Sequence, residues 1–162
     1  MTIRRQPTFL VEDNDDDADL ATMAFSSAKV FPPIVRARDG VEALDYLFAR
    51  GTHAGRDPLD LPAMVLLDIK LPRLSGLEVL KAIRSDERTR LLPIVVLTSS
   101  NEDRDRSAAY QYFANSYVLK PVDYDQFASA ALQLGLYWMS LNVPPPKPSQ
   151  QNLLARLPCP RK

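Results

Sequence analysis

The stretch Ala63-Met64-Val65-Leu66-Leu67-Asp68, continuing into Ile69-Lys70-Leu71-Pro72-Arg73-Leu74-Ser75-Gly76, decides the fold. Its apolar run has the length of a strand and reads as a buried one, while the proline, serine and glycine behind it are turn formers. Asp68 therefore stands where a strand leaves its sheet, and a carboxylate there lies on the rim. Three other segments end in the same way. Phe9-Leu10-Val11 runs into Glu12-Asp13, Ile94-Val95-Val96-Leu97 into Thr98-Ser99, and Tyr117-Val118-Leu119 into Lys120-Pro121. In a parallel sheet all these polar residues arrive at one edge, and ligands of open α/β sheets bind beyond the carboxyl ends of the strands. Glu12, Asp13, Asp68, Thr98 and Lys120 then share one pocket.

The rest of the chain alternates strand-like and helix-like segments, which argues for a parallel sheet with helices on both faces. A first helix over about residues 15–29 carries Leu20, Met23, Ala24 and Ala28 at helical spacing. Ile34 to Ala37 forms the second strand. Asp39 and Glu42 have capping-box spacing for a helix whose inner face is Val41, Leu44, Leu47 and Phe48, stopped by Gly51. A long loop, residues 52–62, precedes the Asp68 strand. Ser75 and Glu78 repeat the capping-box spacing before Val79, Leu80 and Ile83, with a break near Asp86. Residues 101–114 read as a polar helix, and Asp123 opens a last, extended helix to about Leu141.

Bulk properties bound the function. The 162 residues are read as one domain over residues 1–141, followed by a tail over residues 142–162 that holds six of the fourteen prolines and is expected to be extended or disordered. Twenty basic and twenty acidic side chains cancel, so no global field recruits nucleic acid or an anionic membrane. No apolar run approaches the roughly 20 residues needed to span a bilayer. Arg4-Arg5 could suggest an export signal, but Phe9-Leu10-Val11 behind it meets an acidic cluster at once and leaves no apolar export segment, and the single Cys159 supports no internal bridge. The expected location is the cytoplasm.

Two carboxylates about 4 Å apart repel by about 4 kcal/mol at an effective dielectric near 20, so the acid cluster calls for a cation. Oxygen ligands from Glu12, Asp13 and Asp68, with the Lys70 backbone carbonyl, suit Mg²⁺. Phosphoryl transfer needs positioning and charge neutralisation, which Lys120 and Thr98 supply beside such an ion. Small Ser99 leaves room for a phosphoryl group. Lys120-Pro121 invites a cis peptide that would aim the lysine inward. Tyr117 is placed to sit over the Thr98 cavity. Asp15, Asp16, Asp17 and Asp19 read as a solvated helix start favoured by the macrodipole. A Ca²⁺ loop beginning at Asp13 fails, because Ala18 and Ala24 stand where a glycine and a glutamate are required. His53, the only histidine, has no evident partner, and the glycines form neither a P-loop nor a dinucleotide fingerprint.

These separated motifs, taken together over residues 7–141, resemble the receiver domain of two-component response regulators. The resemblance implies a flavodoxin-like α/β fold, doubly wound around a five-stranded parallel sheet of order 2-1-3-4-5. It also implies that Asp68 accepts a phosphoryl group from the phosphohistidine of a sensor histidine kinase. Glu12, Asp13, Asp68 and the Lys70 carbonyl would hold Mg²⁺, Thr98 and Lys120 would bind the phosphoryl oxygens, and Tyr117 would be the aromatic switch. Lys70 and Ser100 fall at positions that tune phosphoryl lifetime. Such a protein is a signalling module that catalyses its own phosphorylation and dephosphorylation, not an enzyme acting on separate substrates. Leu71, Leu74 and Ser75 depart from the residues often seen there, whereas Pro72 and Gly76 match.

Within that family the long loop, the Leu67-Asp68-Ile69-Lys70-Leu71-Pro72 run and the last helix with Trp138 and Val143-Pro144-Pro145 are similar to the single-domain regulators that partner bacterial phytochrome histidine kinases. With no room for an effector domain, output would be a protein contact, phosphoryl sequestration or relay. Two alternatives stand beside this reading. A dehalogenase-like phosphohydrolase also uses a strand-end aspartate, but places a second aspartate two residues on, where this chain has Lys70. A receiver-shaped binding module that is never phosphorylated would not need the complete acid, threonine and lysine set. On the last helix Phe127, Ala131, Leu134, Trp138 and Leu141 form a stripe able to cover the sheet. Leu132, Leu136, Tyr137 and Met139 add apolar surface elsewhere, from which a homodimer through this helix is expected.

Overall fold

Burial along the strands follows their position in the sheet. In the computed structural model, which describes residues 6–28 and 32–148, β1 (Thr8–Val11), β3 (Met64–Leu67) and β4 (Ile94–Thr98) are buried at every position, whereas β2 (Ile34–Ala37) and β5 (Ser116–Leu119) are not. All pairings are parallel, in the order β2-β1-β3-β4-β5. Alternate residues serve opposite faces. Phe9, Val11, Val65, Leu67, Ile94 and Val96 belong to one core, while Leu10, Met64, Leu66, Val95 and Leu97 belong to the other. The first core is closed by α2 (Gly40–Leu47), α3 (Gly76–Ser85) and α4 (Asp103–Gln111), the second by α1 (Asp15–Ala28) and α5 (Tyr124–Gly135). The doubly wound architecture and strand order are those expected from the sequence.

Helix ends follow local chemistry. Ser75 and Glu78 form a reciprocal capping box on α3, and the Asp39 side chain accepts from the Glu42 amide at the start of α2. The inner faces differ in detail from the sequence pattern. In α1 the inward stripe is Ala18, Ala21, Ala24 and Phe25, and Met23 points to solvent; the Ala28 side chain lies outside the described residues. In α2, Ala43 and Tyr46 are buried, with Tyr46 stacked on Phe9 at 4.5 Å between ring centroids. Backbone at positive φ, Ala49 at 54° and Gly51 at 55°, turns the chain out of this helix. His53 packs edge-on against Tyr46 in the loop that follows, a structural role.

The helix expected over residues 101–114 is shorter, because Tyr112 caps it and Phe113 takes a φ of 63°. The last helix does extend beyond Gly135, as a π-type segment Leu136–Leu141 in which the Asn142 amide reaches the Tyr137 carbonyl. A wider turn advances the apolar stripe by about one residue. Met139 therefore joins Trp138 against the core, while Leu141 faces solvent, the reverse of the sequence reading. Residues 143–148 carry neither helix nor strand, and residues 144–148 line a cavity of about 810 Å³ with Leu92, Pro93 and Trp138. That cavity lies at the sheet edge opposite Asp68. The tail beyond residue 148, and with it Cys159, lies outside the described residues.

Candidate functional site

Each strand continues its ladder by one rung into the residue that carries the chemistry. The Glu12 amide donates to the Ala37 carbonyl, the Asp68 amide to the Val11 carbonyl and the Lys120 amide to the Thr98 carbonyl, at 3.0, 3.1 and 2.8 Å. The sheet thus fixes the backbone of three functional residues before any side-chain contact is made. The loop behind Asp68 is held equally tightly. The Gly76 amide donates to the Ile69 carbonyl at 2.8 Å, and a Cβ at Gly76 would come to 2.0 Å from the Asp68 carbonyl oxygen. Only glycine lets α3 approach the strand end this closely.

Carboxylate oxygens of Glu12, Asp13 and Asp68 lie within 4.8 Å of one another. Glu12 and Asp68 are buried, and Asp13 is exposed at the mouth. The Lys120 ammonium donates to Asp68 Oδ2 at 2.8 Å, to Asp17 Oδ2 at 3.0 Å and to Glu12 Oε2 at 2.5 Å, which engages its three protons. Lys70 lies beside the cluster, its amide donating to Asp68 Oδ1 at 3.3 Å. Arg36 grips the β1–α1 loop through the carbonyls of Glu12 and Asp13 and the carboxylate of Asp15.

One ammonium among four carboxylates explains the ionisation pattern. Burial pushes the Glu12 carboxyl up to about 7, because the Lys120 bond that opposes it is offset by the neighbouring Asp68 charge. Burial lowers Lys120, yet its bonds to Asp68 and Glu12 outweigh that effect and hold it above the ordinary lysine range. The cluster carries net negative charge and offers oxygen donors alone. This set fits a hard divalent cation such as Mg²⁺.

Thr98 is fully buried, and its Oγ1 accepts from the Ser100 amide at 3.3 Å. Tyr117 lies over this segment, half-buried, with its hydroxyl donating to the Ser100 carbonyl at 2.8 Å. Glu12, Asp13, Asp68 and Lys120 are thus gathered in one cluster, with Lys70 joined to it through its backbone amide, and Thr98 and Tyr117 meet at Ser100. The Lys120–Pro121 peptide is trans, since no described peptide bond is cis. The isomer is not needed, because the extended Lys120 side chain reaches the acids anyway. Asp17, expected at a solvated helix start, is instead a Lys120 partner. Asn14 Oδ1 accepts the Asp17 amide at 2.9 Å, capping the first turn of α1. Asp105, which accepts the Ser100 hydroxyl, was likewise unforeseen.

The comparisons with known proteins agree with this geometry. The response regulator receiver domain family matches residues 8–132. The probable methanogenesis regulatory protein FilR2 of Methanothrix harundinacea is 41% identical over 136 residues, which are 84% of this chain and 85% of FilR2. Among solved structures, the phosphorylated cyanobacterial phytochrome response regulator RcpA aligns with a TM-score of 0.81 at 33% identity, covering 88% of this chain and 99% of RcpA. The bacteriophytochrome response regulator RtBRR aligns with a TM-score of 0.71 at 43% identity, covering 88% and 86%. A family match that runs from the first strand into the last helix makes the conclusion direct: this chain belongs to the response regulator receiver domain family.

Proposed function

We propose that Asp68 accepts a phosphoryl group from the phosphohistidine of a sensor histidine kinase, and that the protein relays this event by reshaping the surface around Tyr117. The observation that carries the reading is the Lys120 ammonium held between Asp68, Glu12 and Asp17 at the edge of the sheet. In the reaction, Asp68 Oδ attacks phosphorus while the bond to the histidine nitrogen breaks, and the imidazole leaves with its electron pair. Lys120, already beside Asp68 Oδ2, neutralises charge on the phosphoryl oxygens, and the Thr98 hydroxyl donates to one of them. Glu12, Asp13, Asp68 and the Lys70 carbonyl would hold Mg²⁺. When bound, the ion supplies further charge neutralisation and alignment.

Thr98 moving to the phosphoryl group vacates space for Tyr117, whose hydroxyl leaves Ser100, and the face made by α4, β5 and α5 changes shape. The similarity to RcpA and RtBRR supports a bacteriophytochrome as the kinase partner. Residues 1–141 form the receiver domain and residues 142–162 its tail, working in the cytoplasm. No helix among the described residues is long and apolar enough to cross a membrane. A homodimer through the last helix buries Leu132, Leu136, Tyr137 and Leu141, all exposed in this chain. Nucleic acid is not a partner, for want of a net positive field. Incubation with a phosphorylated bacteriophytochrome kinase tests the reading: label moves to the wild type and not to Asp68→Asn, and label on the variant would refute the assignment.

A further inference from the structure

Ser100 is tied on three sides. Its amide donates to Thr98 Oγ1 at 3.3 Å, its carbonyl accepts the Tyr117 hydroxyl at 2.8 Å, and its own hydroxyl donates to Asp105 Oδ2 at 2.5 Å while accepting from the Glu102 amide at 3.4 Å. Ser100 and Asp105 are only 5% and 8% exposed. Asp105 sits in the first turn of α4, a helix whose N-cap residue, Glu102, makes no side-chain capping bond. A carboxylate withdrawn from water needs strong partners, and a hydroxyl donor together with the helix N-terminus provides them. The end of α4 and the segment 98–100 are therefore joined through this bond.

We infer that Asp105 is a positioning residue that latches Ser100, and through it Thr98 and Tyr117, in the unphosphorylated arrangement. The inference rests on the reading of Thr98 and Tyr117 as the switch. The Thr98 oxygen that receives the Ser100 amide is the atom that must turn to the phosphoryl group. Ser100 resists following it, because its hydroxyl is anchored on a helix. The latch thus adds to the free-energy gap between the two arrangements, and any ligand that favours the switched one binds more weakly by the corresponding factor.

Calorimetric titration of the full chain with beryllium fluoride in the presence of Mg²⁺ measures that factor. Asp105→Ala and Ser100→Ala should each bind the mimic about tenfold more tightly than wild type, the order expected for losing a hydrogen bond to a charged group. The double variant should gain nothing beyond Ser100→Ala, which already removes the whole hydroxyl. Asp105→Asn keeps a carbonyl acceptor for the Ser100 hydroxyl and should stay within about threefold of wild type. Asp105→Leu fills similar space without an acceptor and should behave like Asp105→Ala, whereas a mere packing contact would return it to wild-type binding. Unchanged or weaker binding by both single variants, or additive effects in the double variant, would overturn the latch while leaving wild-type binding, and so the phosphoacceptor reading, intact. Wild type that fails to bind the mimic would overturn both.

Discussion

Charge imbalance governs the residues of the site. Four acids meet one ammonium, so the site needs a second cation before an anionic phosphoryl group can approach. Loss of Mg²⁺, or Asp13→Ala, should slow phosphoryl acceptance about a hundredfold, equivalent to about 3 kcal/mol of lost charge neutralisation, in a time course with acetyl phosphate. The Glu12 proton gives a second test in metal-free protein. Its carboxyl is raised from 4.5 to about 7 in the folded chain. Between those values the folded state holds a proton that the unfolded state has released, so the stability from this group falls as pH rises through that window. Glu12→Gln should flatten this part of the melting profile, and an unaltered slope would contradict the assignment. Glu12, Asp68, Thr98 and Lys120 were legible because each follows an apolar run. Asp17 and Asp105 were not, because acids are common in the first turn of any helix and only the folded chain shows which of them face inward.

The elements matter here through how closely they approach. Gly76→Ala would place a methyl group 2.0 Å from the Asp68 carbonyl oxygen. It should cost about 2 kcal/mol in denaturant unfolding and slow acceptance, since relief comes only by moving α3 or the Asp68 loop. Thr98→Ala keeps the strand and should still accept phosphoryl groups, but Tyr117 should no longer change environment on adding beryllium fluoride, as read from its NMR ring resonances. A wild-type-like Tyr117 response in that variant would break the proposed coupling. Capping spacings and apolar runs placed every strand and helix in the sequence. Helix ends and stripes were less legible: nothing local announces that Phe113 adopts a φ of 63° or that the last helix widens at Leu136. Met139 and Leu141 consequently exchange their expected faces.

At the scale of the whole molecule, the acid cluster and the exposed apolar residues of the last helix lie on different parts of the chain. Leu132, Leu136, Tyr137 and Leu141 stay exposed although residues 143–148 run nearby. Three leucines and the half-exposed Tyr137 together make an apolar patch on the order of a few hundred Å², the size that marks an interface. Light scattering should report a dimer at micromolar concentration, and truncation before Leu136 should give monomers that still accept phosphoryl groups; a monomeric full chain would refute the interface. The strand order was legible only through the family resemblance, since alternation of strands and helices fixes a parallel sheet but not which strand is central. Mass spectrometry of the chain after incubation with acetyl phosphate and Mg²⁺ should show one labile phosphoryl group, mapped by borohydride reduction to Asp68. An unmodified chain, or a phosphoryl group on another residue, would contradict the Asp68 assignment.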